Sequence, residues 1–347
     1  FLSLPGLTLA NGDEKTFKQL LSYLIDRMKG PFFPHKYYQN DLYYTALDSP
    51  LWFIYNIQKY ETMLKKNKKT LWKEYGNVIT KILNSFIEGT DFNVKVCENG
   101  LLYGGNERLA LTWMNVFCDG KPLTPRTGFA VEINALWYNA LRYAVSLLQK
   151  VDPNNEDIQR WSDVADKVLA SFTPCFYDSV NDTFFDYVNE NERNAMVRPN
   201  MLIAISLPYC PFKNELKKKV FDIVRSELLT IRGLRSLSPR SPEYKGVTIG
   251  NHREREIAYH QGTVFPWLVM PYADASVILY DKTALPYIED LYHGFEDAIK
   301  DCGIGSISEI YDGNPPHDAR GCISQSTSVA ALLYLDYLID QMRKDEI

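Results

Sequence analysis

The stretch Ala130-Val131-Glu132-Ile133-Asn134-Ala135-Leu136-Trp137-Tyr138-Asn139-Ala140-Leu141-Arg142-Tyr143-Ala144-Val145-Ser146-Leu147-Leu148-Gln149 carries the clearest fold signal in the chain. Ile133, Leu136, Trp137, Ala140, Leu141, Ala144 and Leu148 recur at three- and four-residue steps, the spacing of one broad apolar stripe on a helix. The same period appears on either side. Phe17, Leu20, Leu21, Leu24 and Met28 predict a helix that ends at Gly30, and Ser49 to Lys66 predicts another around Leu51, Trp52, Ile54, Tyr55 and Ile57. Leu216, Val220, Ile223 and Val224 mark a helix before Gly233. The run from Ser328 to Met342 is apolar over more than half its circumference, which predicts burial on several sides. In all, about ten to twelve helices are expected.

The helices alternate with long loops rich in Gly, Pro, Asn, Trp and Tyr: Asn99 to Arg108, Thr112 to Gly128, Arg232 to His260 and Gly303 to Gly321. Long structured loops in compact domains commonly carry function. Strand signals are sparse, with one short hairpin expected over Asn181 to Val188. No polar linker or compositional shift divides the chain, so a single domain over residues 1–347 is expected. The fold class is all-α. Helices joined by long loops between alternate pairs suit a double ring whose loops build a pocket at one end; an irregular bundle or a helical repeat array is the alternative.

Composition narrows the function. Of 347 residues, 46% are hydrophobic and 23% charged, an ordinary globular balance. The net charge is −5 and the basic residues are scattered, the one short run being Lys217 to Lys219 on an amphipathic helix. A nucleic-acid partner, which needs a basic stripe, is excluded on that ground. No apolar run approaches the roughly 18 to 20 residues that cross a bilayer, so no membrane partner is expected. The six cysteines, Cys97, Cys118, Cys175, Cys210, Cys302 and Cys322, form no CxxC pair and match no zinc or disulfide framework. Reduced thiols and a cytoplasmic location follow as expectations. The opening Phe1-Leu2-Ser3-Leu4-Pro5 has no methionine and no basic n-region, and reads as the middle of a longer polypeptide. No oligomeric state is written in the residues.

Three clusters hold residues suited to chemistry. The first is Leu111-Thr112-Trp113-Met114-Asn115, followed by Thr124-Pro125-Arg126 and Glu132-Ile133-Asn134. Aromatic faces stack on sugar rings while Arg, Asn and Glu hydrogen-bond hydroxyls; equally, Glu132 at a helix start and Trp113 in a core are ordinary structural uses. The second is Tyr259-His260-Gln261-Gly262-Thr263-Val264-Phe265-Pro266-Trp267, where His260 is either a proton carrier or, more in keeping with its polar flanks, an orienting donor. The third is Ile307-Ser308-Glu309-Ile310-Tyr311-Asp312-Gly313 with Pro315-Pro316-His317 and Gly321-Cys322. A carboxylate between apolar neighbours beside a Gly/Pro-rich loop suits acid–base work or a buried ion pair. No metal and no cofactor is expected: no His/carboxylate pair has ligand spacing, and the glycines form neither a P-loop nor a dinucleotide fingerprint. No GxSxG elbow is present.

Taken in order, Ala46-Leu47-Asp48-Ser49-Pro50-Leu51-Trp52-Phe53, Leu111 to Asn115, Thr124-Pro125-Arg126, Val131 to Leu141, Arg198-Pro199-Asn200, Gly233-Leu234-Arg235-Ser236-Leu237-Ser238-Pro239, Tyr259-His260-Gln261-Gly262-Thr263, Ser308-Glu309-Ile310 and Gly321-Cys322 resemble the amylo-α-1,6-glucosidase domain of glycogen debranching enzymes of the archaeal and bacterial type. The resemblance runs to about residue 335. It implies an (α/α)6 barrel with its pocket at the loop end, and inverting hydrolysis of α-1,6-linked glucosyl stubs on a glycogen-like α-glucan. It also implies that Glu309 is the general base and that Asp48, Trp113, Arg126, Glu132, Tyr259, His260 and Gln261 surround the sugar. Residue 1 falls just after the family's Trp-Gly-Arg-Asp stretch, so the first helical element and an upstream β-rich domain are expected to precede it.

The acid position departs from the family. Its aspartate after Thr-Trp-Met is Asn115 here, and a carboxamide has no acidic proton to give to a leaving glycosidic oxygen. Asp119, Glu132 or Asp48 takes over, or the chain is a degenerate sugar-binding homologue, or it is an inactivated variant. Thr327 and Phe265 stand where the family carries tryptophans. Three functions therefore compete: an α-1,6-glucosidase, a catalytically silent glycan-binding module, and a helical interaction scaffold, the last disfavoured because a scaffold has no use for the loop motifs.

Overall fold

A computed structural model gives the structure, and it describes residues 1–38, 41–180 and 182–344. It is mostly helical. In chain order the described α-helices begin with α1 (Leu4–Leu7), α2 (Glu14–Ile25), α3 (Asp48–Met63), α4 (Lys68–Glu88), α5 (Val131–Leu148) and α6 (Glu156–Phe176). They continue with α7 (Asn200–Ile205), α8 (Asn214–Glu227), α9 (His252–Tyr259), α10 (Val269–Tyr280), α11 (Leu285–His293), α12 (Ala298–Asp301) and α13 (Ser326–Lys344). Every strand among the described residues is only two or three residues long. The chain divides into two compact units: one comprises Phe1, residues 13–194 and 208–212, the other residues 2–12, 195–207 and 213–347.

The first unit is built around α5. Its apolar stripe proves to be part of an almost fully enclosed helix: every residue but Arg142 and Ser146 is buried, because α3, α4 and α6 all pack on it. Burial on all sides forces its polar side chains to find partners inside. Asn134 Nδ2 donates to the carbonyls of Leu102 and Ala130 while its Oδ1 accepts from Leu102 N at 2.7 Å. Asn139 Nδ2 donates to Gln58, its Oδ1 accepts from Tyr209 N, and the Trp137 indole donates to Gly100 O. The flanking helices start on polar caps: Asp13 accepts from Thr16 N, Asn67 from Lys69 N and Asn155 from Asp157 N. Helix α2 stops earlier than its periodicity suggests, because Arg27 N and Met28 N turn to i−3 carbonyls and the chain leaves for the Lys29–Phe32 bridge.

In the second unit α13 packs on α1, α10 and α11 and is buried over about half its circumference through Ser328, Ala330, Ala331, Tyr334, Leu335 and Ile339. Gly6 of α1 sits so close that a β-carbon there would lie 1.9 Å from Ala330 O. An antiparallel five-stranded sheet runs in the order Leu229–Thr230, Gly233–Arg235, Val264–Phe265, Ile310–Tyr311, Ala319–Arg320. Its register pairs Leu234 with Phe265, Val264 with Tyr311, and Ile310 with Arg320.

Two further expectations change. The loop from Arg232 to His260 contains α9, which begins on a capping box between Asn251 and Glu254. The expected hairpin over Asn181 to Val188 is two separate pairings, Tyr177–Asp178 with Thr183–Phe184 and Tyr187–Val188 with Arg193–Asn194; Asn181 itself lies outside the described residues. No cysteine pair forms a disulfide among the described residues, and no helix there is long and apolar enough to cross a membrane.

Candidate functional site

The expected site residues fall into two groups, one in each unit. In the first unit Arg126 sits on the short connection into α5 with a positive φ of 48° and is 3% exposed. Its guanidinium is wholly committed. Nε donates to Asp186 Oδ2 at 2.7 Å, and Nη2 donates to Asp186 Oδ1 and O at 3.0 Å. Nη2 also donates to Glu132 Oε2 at 2.6 Å, while Nη1 donates to Glu132 Oε1 and to Thr112 Oγ1. One cation thus grips two buried carboxylates, and all five of its N–H groups are satisfied within the protein. Burial works against its charge, but Asp186 and Glu132 outweigh burial and raise its pKa.

This clamp also fixes the loop that carries Trp113 and Asn115. Thr112 Oγ1 accepts from Met114 N at 3.3 Å and Thr124 Oγ1 donates to Met114 O at 2.8 Å, so the backbone just before Asn115 is pinned on both sides. Asn115 itself is exposed, and Trp113 is half-buried. Asp119 stands at the exposed turn of the Phe117–Cys118/Lys121–Pro122 hairpin, with φ 51°.

Asp48 opens α3, is 7% exposed and hydrogen-bonds Trp52. Burial, and after it the negative Glu132, pushes its carboxyl up to about 7. The folded chain therefore holds a proton that the unfolded chain releases near the ordinary value of 3.8. Stability falls as pH rises through that window and levels off above it, by roughly 4 kcal/mol for this group alone. Asp48→Asn is expected to flatten the decline. Urea midpoints measured from about pH 4 to about pH 8 test this; a variant whose midpoints fall as steeply as the parent's would refute it.

In the second unit Glu309 precedes the strand Ile310–Tyr311, whose pairing with Ala319–Arg320 brings Cys322 opposite it. Glu309 N donates to Cys322 O at 2.8 Å, and Cys322 N returns a bond to Glu309 Oε2 at 2.9 Å. The other carboxylate oxygen, Oε1, accepts from the Tyr259 hydroxyl at 2.5 Å. Gly321, at φ 67°, lies against the carboxylate: a β-carbon there would sit 2.5 Å from Glu309 Oε2. Tyr259 is held in its protonated form by burial and then by the bond to Glu309 and its charge, so its hydroxyl is the donor.

Tyr259 ends α9, and His260 behind it is buried, edge-on to Tyr259 at 4.9 Å and stacked on Phe265 at 5.6 Å. Arg198 fastens this corner: it donates to His260 O at 2.6 Å, Ser236 O at 3.0 Å and Gln261 Oε1 at 2.7 Å. The Gly/Pro loop after Glu309 is tied down by Asp312, a buried carboxylate that accepts from Thr248 N and from Arg320. Asp312 lies in the third sequence cluster, whereas Asp186 falls outside all three. Asp186 sits in Phe184-Phe185-Asp186-Tyr187-Val188, a carboxylate between apolar neighbours like Glu309, so the same signal was present.

The model of the family described as amylo-alpha-1,6-glucosidase matches residues 1–334. The chain belongs to that family. A curated relative of this family member is the glycogen debranching enzyme of Saccharomyces cerevisiae (strain ATCC 204508 / S288c), 26% identical over 223 residues that cover 51% of this chain and 14% of that protein. The match thus spans a small part of the relative's length. Among solved structures, an uncharacterized conserved protein from Thermus thermophilus aligns with a TM-score of 0.66 at 13% identity, over 96% of this chain and 91% of the other. At that identity the likeness is one of fold.

Proposed function

We propose that the chain is a glycoside hydrolase domain built for inverting hydrolysis of α-1,6-linked glucosyl residues in glycogen-like α-glucans, with Glu309 as general base. The observation that carries the reading is the setting of Glu309 within a chain of this family. Its carboxylate is oriented at one oxygen by a tyrosine hydroxyl and at the other by a backbone amide, with Gly321 leaving room beside it. A base so held stays aimed, as abstraction of a proton from water requires. The proposal extends to the (α/α)6 arrangement of the helices, which the resemblance implies. Beside Glu309 in the second unit, Tyr259, His260 and Gln261 would line the sugar. Arg126 and Glu132, spent on each other and on Asp186, would act by fixing the Thr112–Asn115 loop.

Inversion also needs an acid on the opposite side of the bond. Asn115 supplies none. Of the carboxyls that would replace it, Asp119 stands at an exposed turn and Glu132 is taken by Arg126. Asp48 carries a proton up to about 7 but is buried and bonded to Trp52, away from solvent. Asn115 equally supports a second reading, a glycan-binding homologue or inactivated variant that keeps the site without turnover. Incubation with a branched limit dextrin and measurement of free glucose separates them. Glucose from the Asn115→Asp form establishes the family chemistry. Saccharide affinity that survives Glu309→Gln, without glucose from either form, supports the second reading and ends the first.

A further inference from the structure

We propose that Arg320 is a positioning residue for Glu309: its pair with Asp312 fixes the hairpin arm that turns the Cys322 amide onto the Glu309 carboxylate. Ala319–Arg320 is the outer strand of the five-stranded sheet, two residues long, and among the described residues its ladder is the pairing with Ile310–Tyr311. So short a ladder holds an arm weakly, because few backbone bonds offset the entropy of ordering it. The arm nevertheless has to place Gly321 and Cys322 closely. A β-carbon at position 321 would lie 2.5 Å from Glu309 Oε2, and Cys322 N donates to that same oxygen at 2.9 Å.

The side chains supply what the short ladder lacks. Arg320 stands opposite Ile310, so Asp312 is its diagonal neighbour on the same face, within reach of a long side chain. Nη2 donates to Asp312 Oδ2 at 2.6 Å, and Nε donates to Oδ2 and Oδ1 at 3.1 and 3.2 Å. Such a forked contact fixes direction as well as distance. Asp312 is a firm anchor. It is 3% exposed, its Oδ1 also accepts from Thr248 N at 2.8 Å, and Thr248 is bonded in turn to the buried Thr263. Arg235 Nε holds the next residue through Gly313 O at 2.9 Å. Arg320 thus secures the chain just before it turns at Gly321, φ 67°, toward Glu309.

Cys322 reports on the arm. Its side chain is exposed, and the charge of Glu309, followed by a hydrogen bond to the same carboxylate, pushes the thiol up from its ordinary value. The thiolate is the form that reacts with an alkylating agent, so a Cys322 held against Glu309 reacts slowly. Once the arm swings away, the thiol escapes that charge and reacts faster. Loss of a cation from the neighbourhood would by itself favour the protonated thiol and slow the reaction, so the two causes have opposite signs. Calling Glu309 a base rests on the hydrolase reading; the holding of its carboxylate does not.

The test is iodoacetamide at about pH 8 on the whole chain, with modification of Cys322 followed by peptide mass spectrometry. Arg320→Gln is expected to raise the rate at least about threefold, the gain in thiolate when the thiol titrates nearer its ordinary value. Arg320→Lys, which keeps the charge but not the fork, should give a smaller rise, and it carries the test where the Gln form does not fold. Glu309→Gln should raise the rate on its own, and Arg320→Gln should add nothing in that background, where no charged carboxylate is left to escape. A rate unchanged or lowered in both Arg320 variants overturns the proposal. So does an equal rise in the Glu309→Gln background, which marks a role in the loop alone. No step here requires turnover, so a chain that releases no glucose in any form ends the hydrolase reading and leaves this result standing. In the Asn115→Asp form, Arg320→Gln is also expected to lower kcat at least about tenfold with KM little changed. A raised KM with kcat intact would place Arg320 in sugar binding and not in the aim of Glu309.

Discussion

Asn115→Asp is expected to raise glucose release from a branched limit dextrin by about 10²–10⁴, the range that general-acid help is worth. The backbone before position 115 is held through Met114 by Thr112 and Thr124, and Thr112 is held in turn by Arg126. A carboxyl introduced there meets a loop already shaped, so the gain arises from the proton and not from reordering. Adding Glu309→Gln to that form is expected to return it to the starting rate or below, since an amide cannot take a proton from water. The pH profile distinguishes the two roles: the Asn115→Asp form should show a bell with an acidic limb from the base and an alkaline limb from the acid. A gain on Asn115→Asp that persists undiminished through Glu309→Gln would remove Glu309 from the reaction.

How much of this was legible in the sequence depends on the length of each signal. Helix α5 was readable because eighteen residues repeat one period, though the sequence suggested a stripe where burial runs almost all the way round. Helix α9 was hidden. His252-Arg253-Glu254-Arg255-Glu256 has no apolar period, and its one sequence mark is the Asn251/Glu254 capping box. Strands of two or three residues are too short to alternate visibly, so the sheet that presents Glu309 left no pattern. Site positions came from the family resemblance, whereas their partners came from folding. Asp186 lies 60 residues from Arg126, and Tyr259 lies 50 residues from Glu309. Nothing local in either segment announces such a pairing.

The Arg126 clamp is where that long-range pairing has its largest consequence for stability. Arg126→Met is expected to destabilise the fold by about 3–5 kcal/mol, the cost of orphaning one side of a buried ion pair. Here one cation serves both Glu132, 1% exposed, and Asp186, 1% exposed, so its loss leaves two charges without compensation. Arg126→Lys should recover only part of this, because an ammonium cannot reach both carboxylates in bidentate fashion. The sign of the pH dependence identifies the cause. Burial pushes the Glu132 carboxyl up and Arg126 opposes it, so without Arg126 the folded state favours protonated Glu132 and the variant's deficit should shrink as pH falls toward the carboxylate range. Adding Glu132→Gln and Asp186→Asn to Arg126→Met should restore part of the stability by removing the buried charges, a non-additivity that contacting residues show. Urea midpoints for the four forms give the answer. A deficit below about 1 kcal/mol, or one that grows on acidification, would mean the clamp is a spectator of the fold and not its anchor at this loop.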